Sequence, residues 1–489
     1  MLSPDSLILA GFGDCASCVI IPIRMDGEDK DVLLHMKDWL VGKIGFARLA
    51  WAGAVGLTLT LAMLALGACA SSWPWDRAGA PTATPTPAPA GETPTPTVPP
   101  ASPTPAGTTI ITLTIWTTPY FAPGEASEGA RLLAAQSKAF QESYPDVRLD
   151  WVIKPAAGPG NLRDFLLSAR EVAPAILPDL AVVDARDLGV LHNANLVQPM
   201  QDLLPENVLN DLFPFARSLA VEFGQPYALP MAADIEHAVY DQRRLDAPPL
   251  TWTDVLSDSI VYAFPAGGED GLVNDTFLLQ YFALGGRLKD EESKLTVDET
   301  VLAQVFSFYA SGAVAGLFPP AMLEAHTADD AVLLCLNGSA ALCNVRSQTY
   351  LKNRNEWKDL AFATIPTWNG TIATVARSQA FVLVASDPAR HEAVRRFLDW
   401  FSAPERNAPW TRAAGHLPTR VSSLELWGAQ DAYAAFVRWQ LSSAFSVPAD
   451  PDSLRLYQAI QQALREVWEQ AISPQDAAHR VVSAVAPQQ

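Results

Sequence analysis

Residues 110–116 read Ile-Ile-Thr-Leu-Thr-Ile-Trp, an apolar and β-branched run that predicts a strand. A helical pattern over 129–144 follows, then a strand at 147–153, a helix at 162–173, a strand at 180–184 and a helix around Leu188. Strand and helix alternating at this spacing imply βαβ units and a mainly parallel sheet covered on both faces. Ligands on such sheets lie at the carboxyl ends of strands, where Trp116, Asp184 and Arg186 fall. From about Leu250 the pattern is more helical, over 277–284, 301–310 and 322–334. Strands return at 339–345, 360–365 and 380–385, and the last hundred residues are mostly helical, over 390–401, 431–441 and 453–472. Strands that reappear after a helical stretch predict a chain that crosses between two lobes.

Upstream of this body the pattern changes twice. The run 51–68 is nearly all apolar or small, is preceded by Lys37, Lys43 and Arg48, and ends in Leu66-Gly67-Ala68-Cys69. A basic stretch, an apolar stretch and a small-residue site form the layout of a secretory signal peptide, here expected over 36–68. Leu-Gly-Ala-Cys resembles the bacterial lipobox, which implies cleavage before Cys69 and lipidation of that residue. The alternative is a transmembrane helix with a coincidental cysteine. Residues 1–35 have no place in such a leader and are expected to be an upstream extension, with Met25 or Met36 as the true start. Cys15 and Cys18, a Cys-x-x-Cys, then fall outside the mature protein, and lack the further ligands a zinc site needs. Residues 69–108 are proline-rich, with ten of the 39 prolines between Pro81 and Pro105, in runs such as Pro85-Thr86-Pro87. Proline at this density favours extended polyproline II, so the segment is expected to be a tether.

Composition narrows the function. The 489 residues carry 53 acidic against 34 basic side chains, a net charge of −19, which disfavours a nucleic-acid partner. Five cysteines are too few for a disulfide scaffold. Cys335 and Cys343 remain in the body; they can pair if the Asn337-Gly338 turn brings their Cα atoms within about 7 Å, and are otherwise buried thiols. Neither a metal site nor a cofactor is expected. No Gly-x-Ser-x-Gly, Ser-x-x-Lys, His-Glu-x-x-His, P-loop or Gly-x-Gly-x-x-Gly pattern occurs, so an enzyme is not expected. A surface glycosidase with paired carboxylates, or an adhesive lipoprotein, are the alternatives.

Several strings, in order, resemble the extracellular solute-binding proteins of ABC importers, the maltose-binding-protein-like group. They are Phe140-Gln141-Glu142-Ser143-Tyr144-Pro145-Asp146-Val147; Pro178-Asp179-Leu180; Tyr227-Ala228-Leu229-Pro230 with Val239-Tyr240-Asp241; Ala283-Leu284-Gly285-Gly286; Gly338-Ser339-Ala340-Ala341-Leu342; Ile365-Pro366; and the helix after Ala393. The resemblance implies an α/β fold of the class II periplasmic-binding-protein type, with a ligand cleft between two hinged lobes. The lobes are expected at 109–232 plus 366–417 and at 233–365 plus 418–487. It further implies a monomer that captures a small solute, with sugar favoured, by cleft closure. That monomer is held to the bacterial cell membrane by its lipid anchor and delivers the solute to permease subunits.

The same resemblance implies the ligand-contacting residues. Asp234 falls on the acidic position four residues after the Pro of the first crossing, Trp368 on the aromatic two residues after the Pro of the second, and Tyr457 on a late aromatic. Asp184 and Arg186 lie where the family has a polar pair. Trp116 either faces the cleft or caps the core, and Asp234 either meets ligand or holds the hinge. A tryptophan that the family often carries after its Gly-x-x-Ala-Met strand is missing; Gln348 stands nearest, with Asn344 and Arg346 beside it. A lost stacking ring with a gained guanidinium points to a ligand smaller or more polar than a maltodextrin. Trp151, Trp400, Trp439 and Trp468 are expected in the core, and Trp410 near a third crossing.

Overall fold

A computed structural model describes residues 110–485 apart from 291–293, 386 and 448. The signal-like run, Cys69 and the proline-rich segment lie outside the described residues. The first sheet is built on β1 (Ile111–Thr117), which pairs in parallel with both β2 (Val147–Ile153) and β3 (Leu180–Asp184). The helices between them are α1 (Glu128–Ser143), capped by Ser127, and α2 (Leu162–Val172), capped by Asn161. Each cap oxygen accepts a backbone N–H that a free helix end would leave unpaired. These elements follow the hydrophobic pattern closely.

The sheet is mixed rather than mainly parallel. β4 (Ala228–Asp241) and β8 (Thr374–Leu383) run antiparallel to each other, and β8 also pairs antiparallel with β3. β8 enters from the second half of the chain without a βαβ crossover, so nothing constrains it to be parallel. β4 is buried on both sides through most of its length. Its first half pairs with β8; its second half pairs with β6 (Leu342–Arg346) and β7 (Leu360–Ala363) in the second sheet. β5 (Tyr262–Ala263) completes that sheet, in parallel with β6. Pro230 has no N–H to give to the ladder and sits where the β4–β8 register shifts. A third crossing runs beside these two: Ala233 and Leu417 exchange backbone hydrogen bonds, and the Thr419 hydroxyl donates to the Pro230 carbonyl.

The second sheet is packed by α3 (Asp275–Ala283), α4 (Glu299–Val314), α5 (Ala328–Leu336) and α6 (Ser347–Asn353). The helix expected at 322–334 is broken, because Thr327 and Asp330 form a capping box that starts α5 afresh after a 3-10 turn. Cys335 at the end of α5 and Cys343 in β6 are bonded, with Cα atoms 6.1 Å apart. The late helices are α7 (His391–Ser402), α8 (Pro404–Ala414), α9 (Ala432–Ser442), α10 (Pro451–Trp468) and α11 (Pro474–Val485). Trp151 packs on Phe397 and Phe401, Trp400 on Phe140, and Trp468 on Phe264 and Phe318. Trp439 departs from expectation. The buried face of α9 is Tyr433, Ala434, Val437, Gln440 and Leu441, which turns Trp439 outward at 68% exposure.

Candidate functional site

Where β4 and β8 cross, a cavity of about 290 Å³ opens between the carboxyl ends of the first sheet and the start of α6. The turn after β3 supplies Asp184 and Arg186. Asp184 accepts the backbone N–H of Arg186, at 2.9 Å, and its guanidinium through two further bonds, so the pair is locked face to face. Burial would raise the Asp184 carboxyl, but Arg186 outweighs it and holds it below its ordinary value. Asp187 is pushed up by burial, with the Asp184 charge adding to the effect, while Arg163 bonds it at 3.1 Å.

Asp234 enters from β4. Its carboxylate accepts the Ser347 hydroxyl at 2.6 Å and the Gln348 N–H at 3.0 Å, both from the first turn of α6. It therefore ties the crossing strand to the second sheet while also lining the cavity. Behind it lies a charged group drawn from three elements. Asp275, in the first turn of α3, accepts from Arg346 at the end of β6 (2.7 Å) and from Arg377 in β8 (2.8 Å). Burial opposes its ionisation, but Arg377, Arg346 and Arg186 together hold the carboxyl well below the usual carboxylate range. Glu236 is buried beside them and accepts from Thr276 and Asn344; burial raises its pKa.

The structure thus brings Asp184, Arg186 and Asp234 together at the cavity, with Arg346 directly behind. Tyr457 is buried in α10, where burial, and after it the Asp450 charge, push its hydroxyl up. Trp116 is buried at 4% exposure, with the Lys154 ammonium 4.5 Å from its ring centre. The end of β1 instead contributes Thr118 and Tyr120 to the cavity. Trp368 is not part of this group. It stands 56% exposed at a separate cavity, against the edge of Trp252.

Sequence reasoning missed Arg377, Asp275 and Arg163. Arg377 carried a readable signal, a lone charge inside the apolar strand Thr374–Leu383. Arg186 also lines a second cavity of about 750 Å³, with Glu222, Phe223, Phe282 and Lys289, so one guanidinium separates the two spaces. Among the described residues no three His, Cys, Asp or Glu side chains group as metal ligands. Three carboxylates (Asp184, Asp187, Asp234) and three guanidiniums (Arg163, Arg186, Arg377) line the smaller cavity, so its walls balance in charge. Its one aromatic apart from His416 is Tyr120. Such walls donate to and accept from hydroxyls in many directions and offer little stacking surface.

Residues 137–436 match the family described as "Bacterial extracellular solute-binding protein". Over 179 residues the chain is 25% identical to the maltotriose-binding protein of Pyrococcus abyssi, and the match spans 35% of this chain and 38% of that relative. Among solved structures, the cyclic alpha-maltosyl-1,6-maltose binding protein of Arthrobacter globiformis superposes with a TM-score of 0.63 at 17% identity. That match covers 77% of this chain and 98% of that one. The sugar-binding protein MalE of Xanthomonas citri gives 0.62 at 19% identity, covering 77% and 97%. These likenesses show the fold, the class II periplasmic-binding-protein arrangement of two α/β lobes about a cleft. With crossing strands, cleft and matched span in agreement, the chain belongs to the bacterial extracellular solute-binding protein family.

Proposed function

We propose that the protein is the substrate-binding subunit of an ABC importer and captures a small, uncharged sugar in the cleft between its lobes. The observation that carries this reading is the charge-balanced cavity at the β4–β8 crossing, with its six ionised side chains and single tyrosine. A neutral polyol satisfies both carboxylates and guanidiniums without leaving either uncompensated, whereas a polyamine or a phosphate satisfies only one kind. The names of the Pyrococcus, Arthrobacter and Xanthomonas proteins, all sugar binders, support the class. At about 290 Å³ the cavity lies just below the roughly 300–1,000 Å³ usual for ligand pockets, which favours a short sugar over a long glucan. Asp184, Arg186 and Asp234 contact the sugar; Arg346 and Tyr457 act from behind.

The carboxylates at the cavity are each engaged, Asp184 by Arg186, Asp187 by Arg163 and Asp234 by Ser347 and Gln348, which supports binding rather than hydrolysis. The lobes are assigned to 109–232 plus 366–417 and to 233–365 plus 418–487. The protein works outside the cytoplasm as a monomer anchored through Cys69, and presents its closed form to a membrane permease. Closure is favoured by no more than the difference in sugar affinity between closed and open forms.

A thermal-shift screen over short sugars, maltodextrins, polyols, glycerol phosphates and polyamines tests the reading. A matching sugar stabilises the fold by about 2.7 kcal/mol at a hundred times its dissociation constant. Stabilisation by a polyamine or phosphate alone overturns the sugar assignment, and steady release of reducing sugar overturns the binder.

A further inference from the structure

The cavity at Trp368 has about 680 Å³ of space and shares no lining residue with the cleft cavities. Its floor is a supported pair of indoles. Trp252 lies flat on Phe308, with ring centres 4.4 Å apart and planes 5° apart, and its Nε1 donates to Gln280 at 2.9 Å. The Gln280 amide in turn donates to the carbonyl of Pro366, two residues before Trp368. Trp252 N–H donates to the Thr367 carbonyl, and Thr367 N–H to that of Leu250, so the turn carrying Trp368 is tied down on both sides. Trp368 meets Trp252 edge-on at 5.6 Å, and more than half of its surface remains open.

Around this shelf stand uncharged hydrogen-bonding groups. Thr300 and Gln304 lie one turn apart on α4, Thr253 follows Trp252, and Gln475 comes from the first turn of α11. Their side chains hydrogen-bond to no other described residue. No lysine or arginine lines the cavity, and its one ionised side chain is Glu299, so an anionic ligand meets nothing that attracts it. A held indole with an open face, rimmed by free amides and hydroxyls, is what a ring with one apolar face and a girdle of hydroxyls requires. We propose that this cavity is a second carbohydrate site, distinct from the cleft, with Trp368 as its stacking platform and Gln304 and Gln475 as its hydrogen-bonding rim. The fixed turn means that little ordering is needed on binding.

The test follows the indole N–H resonance of Trp368 in the full chain carrying 15N-labelled tryptophan, assigned with Trp368→Phe. Glucose, maltose, maltotriose, sucrose and trehalose are the probes. The resonance is expected to move saturably with at least one of them, and to do so equally in an Asp234→Ala background in which the cleft is impaired. Gln304→Ala is expected to weaken that response roughly two- to tenfold, the worth of one hydrogen bond. No movement with any probe overturns the proposal, as does movement lost in Asp234→Ala, which would be transmitted from the cleft. A response untouched by both Gln304→Ala and Gln475→Ala also overturns it. Thermal stabilisation by these sugars that is undiminished in Asp234→Ala overturns the cleft reading and leaves this one standing.

Discussion

Nη2 of Arg346 donates to Oδ2 of Asp275 across 2.7 Å, although 71 residues separate them in the chain. The same oxygen accepts from Nε of Arg377 at 2.8 Å, and the carboxylate is 8% exposed. One acidic side chain is therefore shared by two guanidiniums from two strands, β6 and β8, with Asp234 and Glu269 as their second partners. Asp275→Ala removes the most buried counter-charge of both, leaving only Asp234 and Glu269, and is expected to cost about 3 kcal/mol of stability, measured by urea unfolding. Asp275→Asn keeps the shape and one acceptor, so its loss should be smaller. An unchanged unfolding midpoint in the alanine variant would show that these charges are solvated rather than held by Asp275.

Asp234 holds the crossing strand to α6 through Ser347 and Gln348 and faces the cavity. Asp234→Ala is expected to lower stability by about 1–3 kcal/mol, the cost of leaving buried donors unpaired. In the same variant the stabilisation given by the cleft sugar should disappear. Retained sugar stabilisation with lowered stability would assign Asp234 to the hinge alone.

Cys335 and Cys343 close a short loop, eight residues apart in sequence, and both are buried. Chain-entropy reasoning gives about 2.5 kcal/mol for a loop of this size. The Cys335→Ser/Cys343→Ser double variant should unfold at correspondingly lower urea, and a reducing agent should shift the parent protein but not the variant. A parent insensitive to reductant, with a variant of equal stability, would contradict the linkage.

Stability should fall with acid in a defined window. Burial holds both His237 and His416 down to about 4, against an ordinary value of 6.5, with Asp234 opposing in each case and Lys352 assisting at His416. Nδ1 of His237 donates to the Ala238 carbonyl, which leaves Nε2 to accept the Tyr433 hydroxyl, as a neutral ring does. Between about 4 and 6.5 the unfolded chain binds more protons than the folded one, so the stability present above 6.5 is lost as the pH falls toward 4. The slope is up to about 1.4 kcal/mol per pH unit for each ring. Glu236, raised by burial, acts oppositely, since its contribution is lost as the pH rises above 4.5. The urea midpoint should drop from pH 7 to pH 4.5 and drop less in His237→Gln; a level midpoint in the parent would mean the rings are not buried neutral.

The first three strands, α1 and α2 were legible because each carries its own periodicity and a local cap. Asp184 and Arg186 are neighbours both in sequence and in space, so their turn could be read locally, whereas the partners of Asp234, Ser347 and Gln348, lie more than a hundred residues away. Asp275 was not legible: beside Asn274 it reads as an ordinary helix start, and its meaning comes from Arg346 and Arg377, far along the chain. Trp368 shows the converse. Its spacing from Pro366 matches a family position, yet the hydrogen bonds of Thr367 to Leu250 and Trp252 turn it to another cavity. Trp439 sits in an apolar helix whose buried stripe passes through Val437 and Gln440 on either side of it, a distinction that composition alone does not draw.

The position of β8 also orders events in time. The three parallel strands of the first sheet are complete by Asp184, but the partner that covers the free edge of β3 is not synthesised until residues 374–383. Until then the nascent chain carries an open, apolar strand edge of the kind that seeks any other strand. Contacts this distant form slowly. The first sheet therefore depends for its completion on a strand nearly two hundred residues beyond β3.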